Sequence, residues 1–179
     1  MGRREPPGLR GDGTNKVGTG VPVVRLLFTY DYMGHRVTKT VSTWTGSTLV
    51  AATTNRFTYD GWNMISESKV NGLGSNVSSY VWGLDLSGTL QGSGGIGGLL
   101  AATGVASNTL VLYGYDASGN VSVLLETNGT MVAHYEYDPY GNALVAEGSA
   151  AKANTYRFST KYSDDETGLY YYGLRFCAP

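Results

Sequence analysis

Three consecutive carboxylates, Asp164, Asp165 and Glu166, are the residues whose types could most directly hold a metal ion or act as an acid and a base. A calcium loop needs oxygen ligands at alternate positions with a closing glutamate, and a glycosidase needs two carboxyl groups held across a cleft. Consecutive carboxylates in a turn do not have that spacing. We therefore expect these side chains to face solvent, and the sequence predicts no metal-binding and no catalytic residue.

The segment Gly92-Ser93-Gly94-Gly95-Ile96-Gly97 matches the letters of the dinucleotide-binding pattern, in which glycines let the backbone approach a pyrophosphate at the start of a helix. The context does not fit. Residues 98–104 offer about one helical turn before another glycine, and no P-loop lysine follows a glycine-rich stretch. The sequence favours a flexible insertion between repeats, and no cofactor is expected.

The remaining candidates for chemistry are His35, His134 and Cys177, the only cysteine. The histidines are about a hundred residues apart, and neither lies in a metal-ligand spacing or beside an obvious nucleophile. Each is interpreted as a strand or turn residue. A single cysteine excludes an internal disulfide framework and a cysteine-rich zinc site.

The composition of the 179 residues favours β structure, since 26 glycines and 14 tyrosines accompany many Val, Thr and Ser residues. The net charge of −1 and the scattered basic residues give no footprint for nucleic acid. No apolar stretch approaches the length of a membrane span. Residues 1–22 contain arginines without a continuous apolar segment, so no secretory signal is predicted there.

An aromatic residue leads into a polar or glycine turn at intervals of 21 to 35 residues. The aromatic positions are Tyr30, Tyr59, Tyr80, Tyr115, Tyr137 and Phe158. A nearly constant period predicts a repeat architecture, in which each unit buries its face against its neighbours.

The clearest repeats lie within residues 109–147. Strands are predicted at 109–115, 121–127, 131–137 and 143–146. Turns are predicted at 116–120, 138–142 and, as type I′, at Asn128-Gly129, because Asp and Asn bond nearby backbone and Gly accepts positive φ. In the third strand, Met131, Ala133, Tyr135 and Tyr137 are predicted on a dry face, and Val132, His134 and Glu136 on a mostly wet one.

The same reasoning places strands at 36–44, 49–59 and 64–67. The final unit is predicted as a strand at 156–162, a turn at 163–168 and a return strand at 169–172. The tyrosines at 115, 135, 137 and 170–172 are interpreted as cross-strand packing residues. An exposed tyrosine platform for sugar rings or partner proteins remains the alternative.

Several segments of this sequence resemble the RHS-repeat (YD-repeat) family. They resemble the part of the family that leads into its RHS repeat-associated core domain. The matching segments are 57–63, 80–88, the two Tyr-Asp-x-x-Gly-Asn units and 161–176, and the last of these is highly specific. The positions that match the repeat motif are Tyr30, Asp31, Gly34, Tyr59, Asp60, Tyr115, Asp116, Gly119, Asn120, Tyr137, Asp138, Gly141, Asn142, Gly168, Tyr170, Tyr171, Tyr172, Gly173 and Arg175.

The resemblance implies an all-β fold of antiparallel β-hairpin repeats that form a curved ribbon, part of a spiralling β shell. We expect a flexible leader at 1–22, YD-type repeats at 23–86, a glycine-rich insertion or loop at 87–108, and repeats leading into a truncated RHS-associated core at 109–179. The family's core runs on past the position of Pro179.

The function implied is a non-catalytic structural module of a polymorphic toxin, in which the shell encloses a C-terminal effector. Expected partners are that effector segment and, beyond it, secretion machinery or surface glycans, with the chain secreted or at the cell surface as part of a longer protein. The alternative is an adhesin-like module that binds carbohydrate or protein. Autoproteolysis in the family depends on aspartates with no matching position here, so no catalytic residue is carried over.

Overall fold

The structure is a computed structural model that describes residues 23–105 and 109–179, and it is built almost wholly of β-strands. The predicted leader at 1–22 lies outside the described residues. The strands are β1 Val24–Tyr30, β2 Arg36–Trp44, β3 Leu49–Asp60, β4 Asn63–Asn71, β5 Gly74–Trp82, β6 Leu99–Thr103, β7 Val111–Tyr115, β8 Val121–Glu126, β9 Met131–Tyr137, β10 Ala143–Glu147, β11 Tyr162–Asp164, β12 Leu169–Tyr171 and β13 Phe176–Cys177, and a 3-10 turn spans Phe158–Thr160.

Strands β1 to β10 form one antiparallel sheet whose order follows the sequence, so every strand pairs with the next by a hairpin. This confirms the predicted all-β fold of antiparallel hairpins. Among the described residues β1 and β10 each pair on one side only, so the sheet is not closed. No helix among the described residues is long and apolar enough to cross a membrane.

The residues after β10 form a second layer on one face of this sheet, and we call residues 148–179 the C-terminal segment. Its aromatic side chains contact strand after strand of the sheet. Phe158 contacts Tyr137 of β9, Tyr156 contacts Tyr80 of β5, Tyr162 contacts Phe57 of β3, and Phe176 contacts Phe28 of β1. The main hydrophobic core lies between the sheet and this segment.

The predicted strand at 156–162 is wrong, since the chain makes a 3-10 turn at Phe158–Thr160. Ser159 and Thr160 take left-handed backbone angles, with φ of 51° and 52°. Bonds to a neighbouring repeat turn hold them there. The Ser159 amide donates to Asn120 Oδ1 at 2.8 Å, and Thr160 Oγ1 donates to the Gly119 carbonyl at 2.7 Å.

The loop predicted at 87–108 contains strand β6, so the interpretation is wrong for residues 99–103. Leu99 and Ala102 are buried in the core, and β6 pairs with both β5 and β7. This apolar strand is short and lies among many glycines, so the sequence pattern indicated a loop instead of a strand.

Two details of the 121–137 region also differ from prediction. The Glu126 amide bonds the Thr130 carbonyl, and the Gly129 amide bonds the Glu126 carbonyl. The loop therefore has three residues, and only Gly129 has positive φ, which excludes a type I′ turn.

The two faces of β9 follow the prediction only in part. Ala133 and Tyr135 are buried as expected, whereas Met131 is exposed and Val132 is buried. The pairing of β8 with β9 is irregular here, because Leu124 pairs with Ala133 and Leu125 with Met131, and the extra residue Val132 interrupts the strict alternation of faces. The Ala150 amide donates to the Val132 carbonyl at 2.8 Å.

Candidate functional site

Four repeat turns share one backbone geometry, each organised by an aspartate. The aspartate amide bonds the carbonyl four residues on, and the amide of the glycine three residues on bonds the aspartate carbonyl. The turns begin at Asp31, Asp85, Asp116 and Asp138. The glycines have positive φ, as a three-residue hairpin loop requires.

The aspartate side chain closes each turn from the inside. Asp138 Oδ1 accepts the amides of Tyr140, Gly141 and Asn142, and Oδ2 accepts Asn142 Nδ2 at 2.7 Å. The Asn142 side chain is the first cause of the lowered pKa of Asp138, and the backbone amides add to it.

The other turns keep this arrangement with small changes. Asp116 binds Ser118 and Asn120 in the same way. In the first turn a histidine takes the place of asparagine, since His35 Nδ1 lies 2.8 Å from Asp31 Oδ2. Desolvation opposes ionisation of Asp31, but its bonds to His35 and to the Met33 amide lower the pKa.

The aromatic residue before a turn bonds back to the start of the preceding strand. Tyr137 OH donates to the Val121 carbonyl at 3.0 Å, and Tyr59 OH to the Arg36 carbonyl at 3.1 Å. Tyr115 OH likewise donates to the carbonyl of Leu99, the first residue of β6. In β5 Trp82 takes this place, with Nε1 2.7 Å from the Met64 carbonyl.

These contacts explain why an aromatic donor recurs before each turn. The hydroxyl satisfies a backbone acceptor at a strand end, and the ring packs on the core. Burial raises the pKa of Tyr59, Tyr115 and Tyr137. The structure thus places these tyrosines in packing and register contacts.

Two of the proposed motif positions depart from the pattern. Asp60 is followed by the two-residue Gly61-Trp62 loop and pairs directly with Asn63, so it does not build the aspartate turn. Tyr30 is 41% exposed at an irregularity in the pairing of β1 with β2.

The motif at the end of the chain holds the C-terminal segment on the sheet. Tyr170 OH donates to the Gly141 carbonyl at 3.1 Å, which ties β12 to a repeat turn. The Arg36 amide donates to Tyr171 OH at 3.1 Å. The Gly168 amide closes the preceding turn on the Asp164 carbonyl at 2.8 Å.

The last three motif residues lie at the rim of the segment. Tyr172 lies under Lys161 Nζ, 5.5 Å from the ring centre. Gly173 has a φ of +84° and packs against the Trp62 ring. Arg175 is exposed and contributes its carbonyl to the Tyr172 amide at 2.9 Å.

The three consecutive carboxylates do not all face solvent, which corrects the expectation for Asp164 and Glu166. Asp164 is fully buried, and its carboxylate binds Arg36 Nη1 at 2.6 Å and Lys39 Nζ at 3.0 Å. Glu166 binds Lys39 at 2.9 Å. Asp165 stays half exposed, 3.4 Å from Arg157. The sequence could not show this, because both cations lie on β2, more than 120 residues away.

Arg36 is enclosed by aromatic rings. Its guanidinium carbon lies 4.3 to 5.2 Å from the ring centres of four aromatic residues, namely Phe28, Phe57, Tyr162 and Tyr171. Its Nε and Nη2 have no hydrogen-bond acceptor among the described residues, and the ring faces take that place. Burial disfavours the charged form, but Asp164 outweighs it and raises the pKa of Arg36.

The glycine-rich segment is wrapped around an internal anion. Asp85 Oδ2 accepts the amides of Ser93 at 2.6 Å and Gly95 at 3.1 Å, and Oδ1 accepts the amide and hydroxyl of Ser87. Burial opposes ionisation, but these bonds lower the pKa of Asp85 to about 2. The Ser93 and Gly95 amides are thus bonded to a carboxylate, and the Gly92, Gly94 and Gly97 amides donate to other protein acceptors. The segment is therefore organised and is not a flexible insertion.

The two histidines and the cysteine make packing and pairing contacts within the fold. His35 stacks on Tyr59 with ring centres 5.0 Å apart, and His134 lies 3.5 Å from Glu147 across β9 and β10. Cys177 is half buried in β13. In the part of the chain that the structure describes, no three His, Cys, Asp or Glu side chains are grouped so as to hold a metal ion.

Sequence reasoning missed Arg36, Lys39 and Asp85 as structural centres. Asp85 carried a usable signal, because Asp85-Leu86-Ser87-Gly88 has the same Asp-x-x-Gly spacing as the other turns. Arg36 and Lys39 carried only a weak signal, as two cations in a strand otherwise made of Val, Thr, Ser and Trp.

Comparisons with known proteins find this chain similar to short stretches of much longer proteins. The chain is 31% identical over 153 residues to tRNA3(Ser)-specific nuclease WapA of Bacillus spizizenii, covering 85% of this chain and 6% of that protein. It is 28% identical over 167 residues to double-stranded DNA deaminase toxin A of Burkholderia cenocepacia, covering 88% of this chain and 11% of that protein. The crystal structure of TcdB2-TccC3 matches with a TM-score of 0.61 and 21% identity, over 86% of this chain and 7% of that one.

These similarities support an RHS-family protein. No family model matches the chain. The chain spans only 6% and 11% of the length of these two RHS-type relatives. The likeness to TcdB2-TccC3 supports the all-β fold of antiparallel hairpins.

Proposed function

We propose that this chain is a structural module of an RHS-type secreted toxin and forms part of a β wall that encloses an effector segment of a longer protein. It acts by containment and carries no catalytic step of its own. The relatives are named for a tRNA nuclease and a DNA deaminase, and we assign activities of that kind to the enclosed effector segment and not to the wall itself.

The observation that carries this proposal is the construction of the sheet. Each of the ten strands pairs only with its sequence neighbours, and the repeat turns bond their own aspartates. In the part of the chain that the structure describes, the outer edges of β1 and β10 have no paired strand and are open for further strands. Open edges are typical of a piece of a larger sheet, because unpaired strand edges promote association.

The C-terminal segment fits the same role. It covers one face of the sheet. Its aromatic rings pack against β1, β3, β5 and β9, and the Arg36–Asp164 ion pair joins it to β2. We infer that this face is the inner side of the wall. Polypeptide that follows the segment in a longer protein would then start on the inside.

Limited proteolysis of the longer protein that carries this chain tests containment. We expect the polypeptide after residue 179 to resist protease in the intact protein and to be cleaved after Asp164→Asn opens the wall. Asp165→Asn, at the half-exposed neighbour, is the matched control and should leave protection unchanged. Rapid cleavage of that polypeptide in the unmodified protein would contradict the proposal.

An adhesin-like role is a second candidate, favoured by one observation. Tyr32 and Tyr140, which lie one and two residues after the aspartates of two repeat turns, are 96% and 74% exposed. Rigid exposed rings of this kind suit contact with sugars or proteins. Binding to a glycan array that disappears in a Tyr32→Ala, Tyr140→Ala double variant would support this role, whereas an array without bound glycans would exclude it for the sugars tested.

A further inference from the structure

A polar cavity of about 190 Å³ lies between strands β2 to β5 and the C-terminal segment. It has room for about six waters at roughly 30 Å³ each, and it is smaller than the ~300 Å³ at which drug-sized pockets begin. Its wall includes Asn55, Glu67, Lys69, Tyr80 and Tyr162. The size suits a ligand of a few non-hydrogen atoms.

The cavity has a buried carboxylate with no cationic partner. Glu67 is 6% exposed and accepts hydrogen bonds from Tyr162 OH at 2.8 Å, from Tyr80 OH at 3.2 Å and from Asn55 Nδ2. All three donors are neutral. No ion pair among the described residues includes Glu67. A buried carboxylate without an opposite charge is costly, so a cation placed beside it would be held strongly.

The other charges around the cavity are already paired, with one exception. Lys39 binds Asp164 and Glu166, and Asp165 lies 3.4 Å from Arg157. Lys69 takes part in none of the ion pairs found in the described ranges. It lies two residues beyond Glu67 on β4 and borders the same cavity.

A second acceptor lies beside the carboxylate. Asn55 is 4% exposed, and its Nδ2 is bonded to Glu67. Its Oδ1 is buried and has no hydrogen-bond partner within residues 23–105 and 109–179. The Glu67 carboxylate and Asn55 Oδ1 together offer hydrogen-bond acceptors, so a ligand that fits them must supply hydrogen-bond donors. An ammonium group has three N–H donors and no acceptor, so it matches this pair in charge and in hydrogen bonding.

We propose that this cavity binds a primary ammonium group, with Glu67 as its counter-ion and Asn55 Oδ1 as a hydrogen-bond acceptor. The group can belong to a small free amine or to a lysine side chain of another polypeptide. The proposal needs only the residues of this chain and is independent of the containment role.

Isothermal titration of the 179-residue chain with n-propylammonium chloride tests the site, at constant ionic strength. We expect saturable binding and a melting temperature that rises with ligand concentration. Tetramethylammonium chloride, which has charge but no N–H donor, should bind much more weakly. A lysine-containing tripeptide with blocked termini separates the sources, because binding of both ligands indicates access for a side chain and binding of propylammonium alone indicates a free amine.

Substitutions of the cavity residues complete the test. Glu67→Gln should weaken propylammonium binding by about tenfold or more, as expected for the loss of a charged hydrogen bond. Glu136→Gln, at a largely exposed side chain, is the matched control and should bind like the unmodified chain. If Glu67→Gln does not fold, Lys69→Met keeps the carboxylate and removes the neighbouring cation, and its binding should be equal or tighter.

Several results would overturn the proposal. These are no binding by the unmodified chain, equal binding of tetramethylammonium, unchanged binding in Glu67→Gln, or weaker binding in Lys69→Met.

Discussion

Arg36 Nη1 and Asp164 Oδ2 are 2.6 Å apart, although the residues are separated by 128 positions in the sequence. Both side chains have no exposed surface. The pair joins the second strand of the sheet to the segment that covers it, and four aromatic rings close around the guanidinium.

Removing one member of this pair should destabilise the chain strongly. Asp164→Asn leaves Arg36 buried without its counter-ion, and losses of this kind are about 3–5 kcal/mol. Urea denaturation followed by circular dichroism measures the change in the free energy of unfolding. Asp165→Asn, next in sequence, should change it by about 1 kcal/mol or less, because its carboxylate is half exposed.

A double variant shows whether the loss of stability comes from the interaction between Arg36 and Asp164 or from general disruption of the core. Arg36→Met with Asp164→Leu removes both charges, so its loss of stability should be smaller than the sum of the two single losses. Additive losses would mean that the two residues do not interact.

The repeat tyrosines should stabilise the folded chain through the hydrogen bonds of their hydroxyl groups. Tyr137→Phe keeps the ring but leaves the Val121 carbonyl without its donor, and we expect a loss of about 1 kcal/mol in unfolding free energy. Tyr140→Phe is the control, since that ring is 74% exposed. Equal effects of the two substitutions would argue against the hydroxyl bonds.

The glycine-rich segment should respond to acid through Asp85. Its folded-state pKa of about 2 lies below the unfolded value of about 3.9, so the ionised carboxylate adds stability above pH 4 and loses that contribution as the pH falls toward 2. Asp85→Asn should reduce the change in unfolding free energy between pH 4 and pH 2. An NMR titration of the Asp85 carboxyl carbon with a midpoint near 4 would contradict this assignment.

Alanine substitutions at two glycines with positive φ separate the cost of a steric clash from the cost of a left-handed backbone. A Cβ at Gly148 would overlap the Val132 carbonyl, whereas a Cβ at Gly129 meets no atom of the described residues within 4 Å. Left-handed backbone alone costs an L-residue about 1–2 kcal/mol. We expect Gly129→Ala to lose about that much in thermal or urea unfolding, and Gly148→Ala to lose clearly more. Similar losses would show that the C-terminal segment does not approach β9 as described.

The hairpins could be predicted from sequence because their signals are local. Asp116, Gly119 and Asn120 satisfy one another within five residues, so the residue types alone indicate the turn. The position of the C-terminal segment could not be predicted in this way. Phe158 continues the aromatic series, yet it lies in a 3-10 turn and packs on Tyr137 of β9 instead of adding a strand to the ten-stranded sheet.

The buried carboxylates show the same limit. Asp164 and Asp165 are adjacent and alike in sequence, but only Asp164 points to Arg36 and Lys39. Whether an acidic residue faces water or an ion pair depends on contacts with a distant strand, and no local pattern contains that information.

A cryo-electron microscopy structure of the longer protein that carries this chain tests the wall proposal most directly. We predict that β1 and β10 each pair with a further strand, and that the polypeptide after residue 179 lies inside, on the face covered by the C-terminal segment. A map in which both edge strands face solvent and the following polypeptide lies outside the sheet would contradict it.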